Sequence, residues 1–313
     1  MRIVVADPLA YSDSFERALR AALPSADFVR WPDLADGAEY DLLVAWHLPK
    51  EMIALPRSLR AIFCFGAGTD QLLDDPRIPA DLPIARLQDQ GQAEQLLDYA
   101  MHAVFARLHD DIVIRADQHA RLWRQPDRQN RTRGSLRAAV LGLGPLGMHV
   151  AQGLSAAGFL VSAWSRSVRR IDGVACQYGD DGLGACVDGA DVLVNLLPSR
   201  PETKGILSDC LFSRLAPGAY VVNLGRGDHL DEEALRAGLD RGWVGAAWLD
   251  VFPVEPPPAE HWFWGHERVR LTPHRAGLPT PRGAAASIAA VVAALESGRP
   301  LPGLVRPGRM IGN

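Results

Sequence analysis

No apolar run in this chain approaches the ~20 residues that a bilayer-spanning helix needs, so no membrane partner is expected. Basic charge is not in surplus either. The formal net charge is -4 and the pI near 6.1. That argues against nucleic acid as the main partner, because binding a phosphate backbone wants a basic face. The four cysteines, Cys64, Cys176, Cys186 and Cys210, are scattered with no CxxC pair. They are expected to be reduced in a cytoplasmic protein, with neither a disulfide framework nor a metal site. The first residues, Met1 to Pro8, read as a short buried strand ending in a turn. They lack the apolar core and small-residue cleavage site of a secretory leader. There is no internal repeat and no low-complexity linker.

What is present is the composition of a soluble globular protein: 313 residues, 48% hydrophobic and 22% charged. That length suggests two domains. In the first hundred residues, short apolar runs (Ile3 to Ala6, Leu42 to Trp46, Ala61 to Phe65, Ile84 to Leu87) alternate with amphipathic stretches such as Ser14 to Ala22. This is the pattern of an α/β layer fold with parallel strands buried on both faces. A stretch nearly free of glycine and proline, Ala93 to Trp123, reads as a long helix. It is either a core helix or a link between domains that packs on a second subunit. A second α/β unit follows, with strands at Ala138 to Leu141, Leu160 to Trp164, Asp191 to Leu196, Tyr220 to Leu224, Gly245 to Leu249 and Val269 to Thr272. Pro281 to Gly298 is an alanine-rich helix with Gly298 as its stop. The tail from Arg299 to Asn313 is expected to be irregular.

Between the strand ending at Leu141 and the helical stretch His149 to Ala157 lies Gly142-Leu143-Gly144-Pro145-Leu146-Gly147. The spacing GxGxxG is weak by itself and stronger in this strand–turn–helix setting. The first glycine permits the tight turn and the second lets the backbone approach a pyrophosphate. The third lets helix and strand pack closely, with the phosphates at the helix N-terminus. An acidic residue about 20 positions on would receive the ribose hydroxyls of NAD. This chain has Trp164-Ser165-Arg166-Ser167 instead, with no carboxylate until Asp172. A guanidinium flanked by two hydroxyls suits a 2'-phosphate, so Ser165, Arg166 and Ser167 favour NADP while NAD stays possible. Arg169 and Arg170 add to the same basic turn.

Three later segments each run from an apolar strand into polar residues: Asn223-Leu224-Gly225-Arg226-Gly227, Leu249-Asp250-Val251-Phe252 with Glu255-Pro256, and Thr272-Pro273-His274. Ligands of open α/β sheets bind at the carboxyl ends of the strands, so these segments should converge. Carbonyl reduction by hydride needs a cation for an anionic substrate, a proton donor, and a partner that orients the donor. Arg226, His274 and Glu255 are of those types.

On these residues, together with Leu196-Leu197-Pro198, Pro201-Glu202-Thr203 and Phe65-Gly66-Ala67-Gly68-Thr69-Asp70, the whole chain resembles the D-isomer-specific 2-hydroxyacid dehydrogenases. Within that family it resembles the glyoxylate/hydroxypyruvate reductase A type, and Trp164-Ser165-Arg166-Ser167 is similar to its NADP-preferring branch. The resemblance implies reduction of a small 2-keto acid to a D-2-hydroxy acid. It implies Arg226 on the substrate carboxylate and carbonyl, and His274, paired with Glu255, as acid and base. Asp250 would fix the nicotinamide carboxamide. Leu197, Pro198, Thr203, Leu224 and Gly225 would line the cofactor, with Gly142, Gly144, Pro145, Leu146 and Gly147 under the pyrophosphate. Ala67 and Gly68 would offer amides to the substrate, and Trp46 would close the pocket. The implied architecture is a Rossmann dinucleotide domain (99–280) inserted into a flavodoxin-like substrate domain (1–98 and 281–313), both doubly wound parallel sheets. A cleft between them would close over the ligands, and the helix from Ala93 would form a homodimer.

Arg275 departs from the pattern, since a small or apolar residue is expected after His274. An extra cation there bears on the choice of substrate more than on the reaction. Two rivals remain at this stage. A dinucleotide sensor resembling transcriptional corepressors would share the fold without turnover. An L-specific dehydrogenase would carry its glycine turn near the N-terminus, not near residue 145.

Overall fold

A computed structural model describes residues 1–7, 12–125 and 131–307. The turn expected at Pro8 and the last six residues of the tail lie outside the described residues. The chain divides into two compact units, residues 1–92 with 278–313, and residues 93–277. The second is therefore inserted into the sequence of the first.

The first unit begins with β1 (Arg2–Val5), α1 (Asp13–Ala22), β2 (Asp27–Arg30), β3 (Leu42–Ala45), β4 (Ala61–Cys64), a short α2 (Asp70–Leu73) and β5 (Ile84–Arg86). The strands run parallel in the order β2-β1-β3-β4-β5, the flavodoxin-like arrangement. Successive side chains point to opposite faces, and here both faces are apolar. Ile3, Val5, Leu42, Val44 and Phe63 meet Phe15 and Leu19 of α1. Val4, Leu43, Ala45 and Ile62 meet Tyr40, Leu48, Met52 and Leu72. A sheet covered on both sides reads as continuous apolar runs, which is what made these strands visible in the sequence.

The second unit opens with α3 (Gln90–Leu108) and α4 (Asp111–His119). The single long helix expected from Ala93 to Trp123 is corrected here. It breaks at Asp110, whose φ of 52° is left-handed, a conformation that Asp tolerates better than most residues. There follow β6 (Arg137–Leu141), α5 (Pro145–Ala156), β7 (Leu160–Ser165), β8 (Val174–Tyr178), α6 (Gly179–Val187), β9 (Val192–Asn195), α7 (Asp209–Phe212), β10 (Ala219–Asn223), α8 (Glu232–Asp240), β11 (Val244–Leu249) and β12 (Val269–Leu271). The strands form one parallel sheet, β12-β11-β10-β9-β6-β7-β8. This is the dinucleotide-fold order extended by a seventh strand, with its switch point between β6 and β9. Ala138 and Val140 pack against Ala100, Ala103 and Val104 of α3 and Val150, Ala151 and Leu154 of α5. Ala139 and Leu141, on the opposite face, join Val187, Phe212, Leu235 and Leu239.

The chain then returns to the first unit as α9 (Pro281–Glu296), whose Ile288, Val291 and Val292 complete the core over β1, β3 and β4. Gly298 follows with φ 64°, as its reading as a helix stop requires. The tail, expected from its Pro and Gly content to be irregular, instead contains a strand. β13 (Leu304–Arg306) pairs antiparallel with β5 and closes that edge of the sheet. Two further strands had no clear apolar run, β2 and β8. Both are edge strands with partly exposed residues.

Candidate active site

All the polar groups singled out in the second unit follow parallel strands, so the sheet delivers them to the carboxyl ends of its strands. At β6, Gly142 has φ 99°, and a Cβ there would come within 2.8 Å of the Leu196 carbonyl oxygen. A Cβ on Gly147 would overlap the Gly142 carbonyl oxygen, while one on Gly144 would meet nothing within 4 Å. The three glycines thus divide into a turn, an open approach and a close helix–strand contact. Gly144 caps α5 and Pro145 occupies its first turn, where a missing N–H costs nothing. Leu146 is partly buried behind them. This cradle fits a pyrophosphate at the exposed start of a helix.

β7 ends at Ser165, which is buried and donates its hydroxyl proton to the Ser167 carbonyl at 2.7 Å. That bond folds the turn and leaves Arg166 and Ser167 exposed. Among the described residues no carboxylate pairs with Arg166, which suits a dianionic phosphate there. After β9, Leu197 is buried and Pro198 exposed. Thr203 shares its one hydroxyl proton between the Pro198 and Arg200 carbonyls (2.9 and 3.0 Å) and receives the Arg200 N–H (3.0 Å), so in this structure it fastens the loop.

The Gly225-Arg226-Gly227 turn after β10 is boxed in on both sides. A Cβ on Gly225 would come within 2.8 Å of Asn195 Nδ2 and 3.0 Å of His229 Nδ1, and one on Gly227 would overlap the Phe252 carbonyl. Leu224, just before, is buried. Beneath the turn lie three fully buried polar side chains, Asn195, Asn223 and His229. Asn195 Nδ2 donates to Asn223 Oδ1 and to His229 Nδ1, each at 2.9 Å. Asn223 Nδ2 donates to the Arg226 carbonyl at 2.9 Å, and Gly225 N–H to Asn223 Oδ1 at 3.2 Å. The Arg226 guanidinium donates to the Gly225 carbonyl at 2.8 Å.

Beyond β11 and β12 the chain brings a histidine and a carboxylate together. His274 Nδ1 lies 2.9 Å from Glu255 Oε2, and Glu255 Oε1 accepts the Phe252 N–H at 3.0 Å. Burial works to raise the Glu255 pKa. The His274 hydrogen bond, the Phe252 N–H and the charges of His274 and Arg226 outweigh it, and the carboxyl lies below its ordinary value. His274 has φ 48°, one of three non-glycine residues with positive φ among the described residues. Such a backbone persists only where its surroundings hold it. Asp250, only 3% exposed, does the holding. Its Oδ1 accepts the Thr272 hydroxyl (2.6 Å) and the Arg275 N–H (2.9 Å), and its Oδ2 the Ala276 N–H (2.8 Å). Its carbonyl accepts the His274 N–H at 2.9 Å. Thr272 spends its one proton on Asp250, so Tyr99 of α3, at 2.8 Å, must donate to Thr272. Arg275 is thereby anchored through its backbone while its side chain is exposed.

In the first unit, Trp46 follows β3 and its indole faces Gly66, where a Cβ would come within 3.1 Å of two ring atoms. Ala67 and Gly68 continue that turn after β4, and the Cys64 thiol donates to the Gly68 carbonyl at 3.3 Å. The structure thus gathers Trp46, Ala67 and Gly68 at one end of the first sheet. It gathers Arg226, Asp250, Glu255, His274 and the glycine turn at the carboxyl ends of the strands of the second. Sequence reasoning gave no role to Asn195, His229 or Tyr99, and quoted Asn223 and Thr272 without one. The available signal was an asparagine ending each of two apolar strands, Val192-Leu193-Val194-Asn195 and Val221-Val222-Asn223. A buried amide must find partners.

The model of the D-isomer specific 2-hydroxyacid dehydrogenase NAD binding domain matches residues 101–276. The glyoxylate/hydroxypyruvate reductase A of Serratia proteamaculans is 40% identical over 97% of this chain and 98% of its own length. That of Yersinia enterocolitica is 37% identical over the same shares. Among solved structures, a D-isomer specific 2-hydroxyacid dehydrogenase from Xanthobacter autotrophicus Py2, in complex with NADPH and MES, superposes with a TM-score of 0.91. It has 31% identity and 99% of each chain is covered. The NADPH-dependent glyoxylate/hydroxypyruvate reductase of Sinorhizobium meliloti, in complex with NADP and sulfate, gives 0.89 at 30% identity over 98% of each chain. With the reductases matched end to end and the glycine turn, Arg226, Glu255 and His274 all in place, this chain belongs to the D-isomer-specific 2-hydroxyacid dehydrogenase family.

Proposed function

We propose that the protein reduces small 2-keto acids such as glyoxylate and hydroxypyruvate to D-2-hydroxy acids, with NADPH preferred and NADH accepted. The observation that carries this reading is the His274–Glu255 pair, set beside the Arg226 turn on a backbone that Asp250 pins. Bound NADPH supplies the hydride. Arg226 binds the substrate carboxylate and the carbonyl oxygen. His274 Nε2 gives its proton to that oxygen as negative charge develops on it. Glu255 at Nδ1 keeps the ring in one orientation and stabilises the imidazolium. A carboxylate has about four lone-pair sites, and the three donors on Asp250 leave one for the nicotinamide carboxamide. Gly142, Gly144, Pro145, Leu146 and Gly147 cradle the pyrophosphate. Ser165, Arg166 and Ser167 receive the 2'-phosphate, and Leu197, Pro198, Thr203, Leu224 and Gly225 flank the cofactor. In the first unit, the Ala67 and Gly68 amides serve the substrate carboxylate and Trp46 shields it.

The reading includes a homodimer formed through α3 and its surroundings. Exposed Val113, Ile114, Leu122 and Trp123 on and after α4 favour it. It also includes a cytoplasmic setting, in which the free thiols stay reduced. A panel of 2-keto acids run with NADPH and with NADH tests the reaction. Turnover that vanishes in His274→Ala supports it. NADPH binding without turnover of any keto acid would leave a dinucleotide sensor instead.

A further inference from the structure

His229 is completely buried and has no part in the reaction just proposed, yet it touches the backbone of the residue that holds the substrate. It lies three positions after Arg226, in a 3-10 turn (Gly227–His229). Its Nδ1 accepts the Arg226 N–H at 3.3 Å and the Asn195 Nδ2–H at 2.9 Å. Its own N–H returns to the Arg226 carbonyl at 3.3 Å. Two donors converge on Nδ1, so that nitrogen carries no proton and the ring is the Nε2–H tautomer. Nε2 lies 3.9 Å from Asp228 Oδ1, beyond hydrogen-bond distance, so the tautomer rests on the two donors at Nδ1.

Asn195 cannot be turned over to serve instead. Its Oδ1 already accepts the Leu197 N–H at 3.2 Å, and its amide nitrogen serves Asn223 and His229. Both backbone groups of Arg226 are therefore fixed by side chains, the N–H by His229 and the C=O by Asn223. The glycines on either side leave the turn no room to shift.

We infer that His229 is a positioning residue for Arg226. As a neutral hydrogen-bond acceptor at Nδ1, it sets the guanidinium that binds the substrate carboxylate. This inference rests on the proposed keto-acid reduction for its kinetic consequence, but not for its geometry. An acceptor at the position of Nδ1 is what the turn needs. The carbonyl oxygen of an asparagine stands at the same number of bonds from Cβ as Nδ1 does, whereas that of a glutamine stands one bond further out.

Three variants and one spectroscopic measurement test it. His229→Leu keeps the volume and removes the acceptor. His229→Asn restores the acceptor in place, and His229→Gln restores it in the wrong place. In His229→Leu the KM for glyoxylate is expected to rise about tenfold, with the KM for NADPH within about twofold. His229→Asn should recover most of that loss and His229→Gln little of it. By hydrogen exchange, the Arg226 amide should lose protection in Leu and Gln and retain it in Asn. In the wild type at neutral pH, the 15N shifts of the buried imidazole should report a bare Nδ1 and a protonated Nε2. A protonated Nδ1, equal performance of Asn and Gln, or unchanged Arg226 exchange in Leu overturns the inference. The 15N and exchange measurements need no turnover, so they decide the role of His229 even if the wild type reduces no keto acid and the functional proposal fails.

Discussion

Asp250→Asn removes one negative oxygen from a site where three donors meet a carboxylate. The asparagine has a single acceptor oxygen. Placed at the position of Oδ1, it can still serve Thr272 and the Arg275 N–H, but its NH2 group then faces the Ala276 N–H, donor against donor. Flipped, its NH2 group faces the Arg275 N–H instead, while the Thr272 hydroxyl can turn to accept from it. Ala276 is buried, so solvent does not relieve the conflict. A stranded buried N–H costs about 1–3 kcal/mol, and turning charge-assisted bonds into neutral ones costs about 1 kcal/mol more. The sum, about 3 kcal/mol, corresponds to a fall in Tm of roughly 10 °C for a unit of this size. Because the same donors hold the left-handed backbone of His274, kcat should fall by at least about tenfold as the acid–base pair loses its setting. Thermal unfolding of the apoprotein and steady-state reduction of glyoxylate with NADPH provide the two readouts. A variant whose Tm and kcat both match the wild type would refute the view that Asp250 braces the His274 loop.

Other expectations follow from the same geometry. Thr272→Val removes both hydrogen bonds of the Tyr99–Thr272–Asp250 chain, and its Tm should fall by about 4–8 °C, the equivalent of roughly 2 kcal/mol. Gly227→Ala forces a methyl into the Phe252 carbonyl, so keto-acid reduction should drop by about two orders of magnitude as the Arg226 turn is displaced; wild-type kinetics would contradict the packing argument. Arg166→Ala should raise the KM for NADPH at least about tenfold and leave that for NADH nearly unchanged, and an unaltered NADPH/NADH ratio would remove Arg166 from the phosphate site. The pKa of Glu255 is depressed in the folded state, so its contribution to stability is fully present above its ordinary value of 4.5 and is lost as pH falls through the lower folded value. The Tm gap between wild type and Glu255→Gln should accordingly be constant near neutrality and shrink below about pH 4.5; a gap that widens in acid would reverse the assigned direction.

The parts of the fold legible in the sequence were those where burial leaves a one-dimensional trace. β1, β3, β4, β6, β9, β10 and β11 are covered on both faces and read as apolar runs. β2 and β8 are edge strands whose partly exposed residues give no such run. β13 is set by its partner β5 and not by its own propensity. The break between α3 and α4 turns on one left-handed Asp110, inside a stretch whose composition favours helix throughout. At the site, Arg226, Glu255 and His274 were legible because their chemistry is distinctive and each follows a strand. Their supports were not, because a hydrogen bond from Tyr99 to Thr272 spans 173 residues and leaves no periodic mark. Asn195 and His229 are likewise coupled only through the folded sheet.

The switch point of the second sheet divides more than its strand order. Ser165, Arg166 and Ser167 follow β7, on one side of β6, while Asn195, Arg226, Asp250 and His274 follow β9 to β12 on the other. Substitutions that share no partners tend to combine additively. On the roles proposed above, dinucleotide choice would be retuned along one arm of the sheet without disturbing proton transfer along the other. The two arms would then act as separable modules that meet at β6 and its glycine turn.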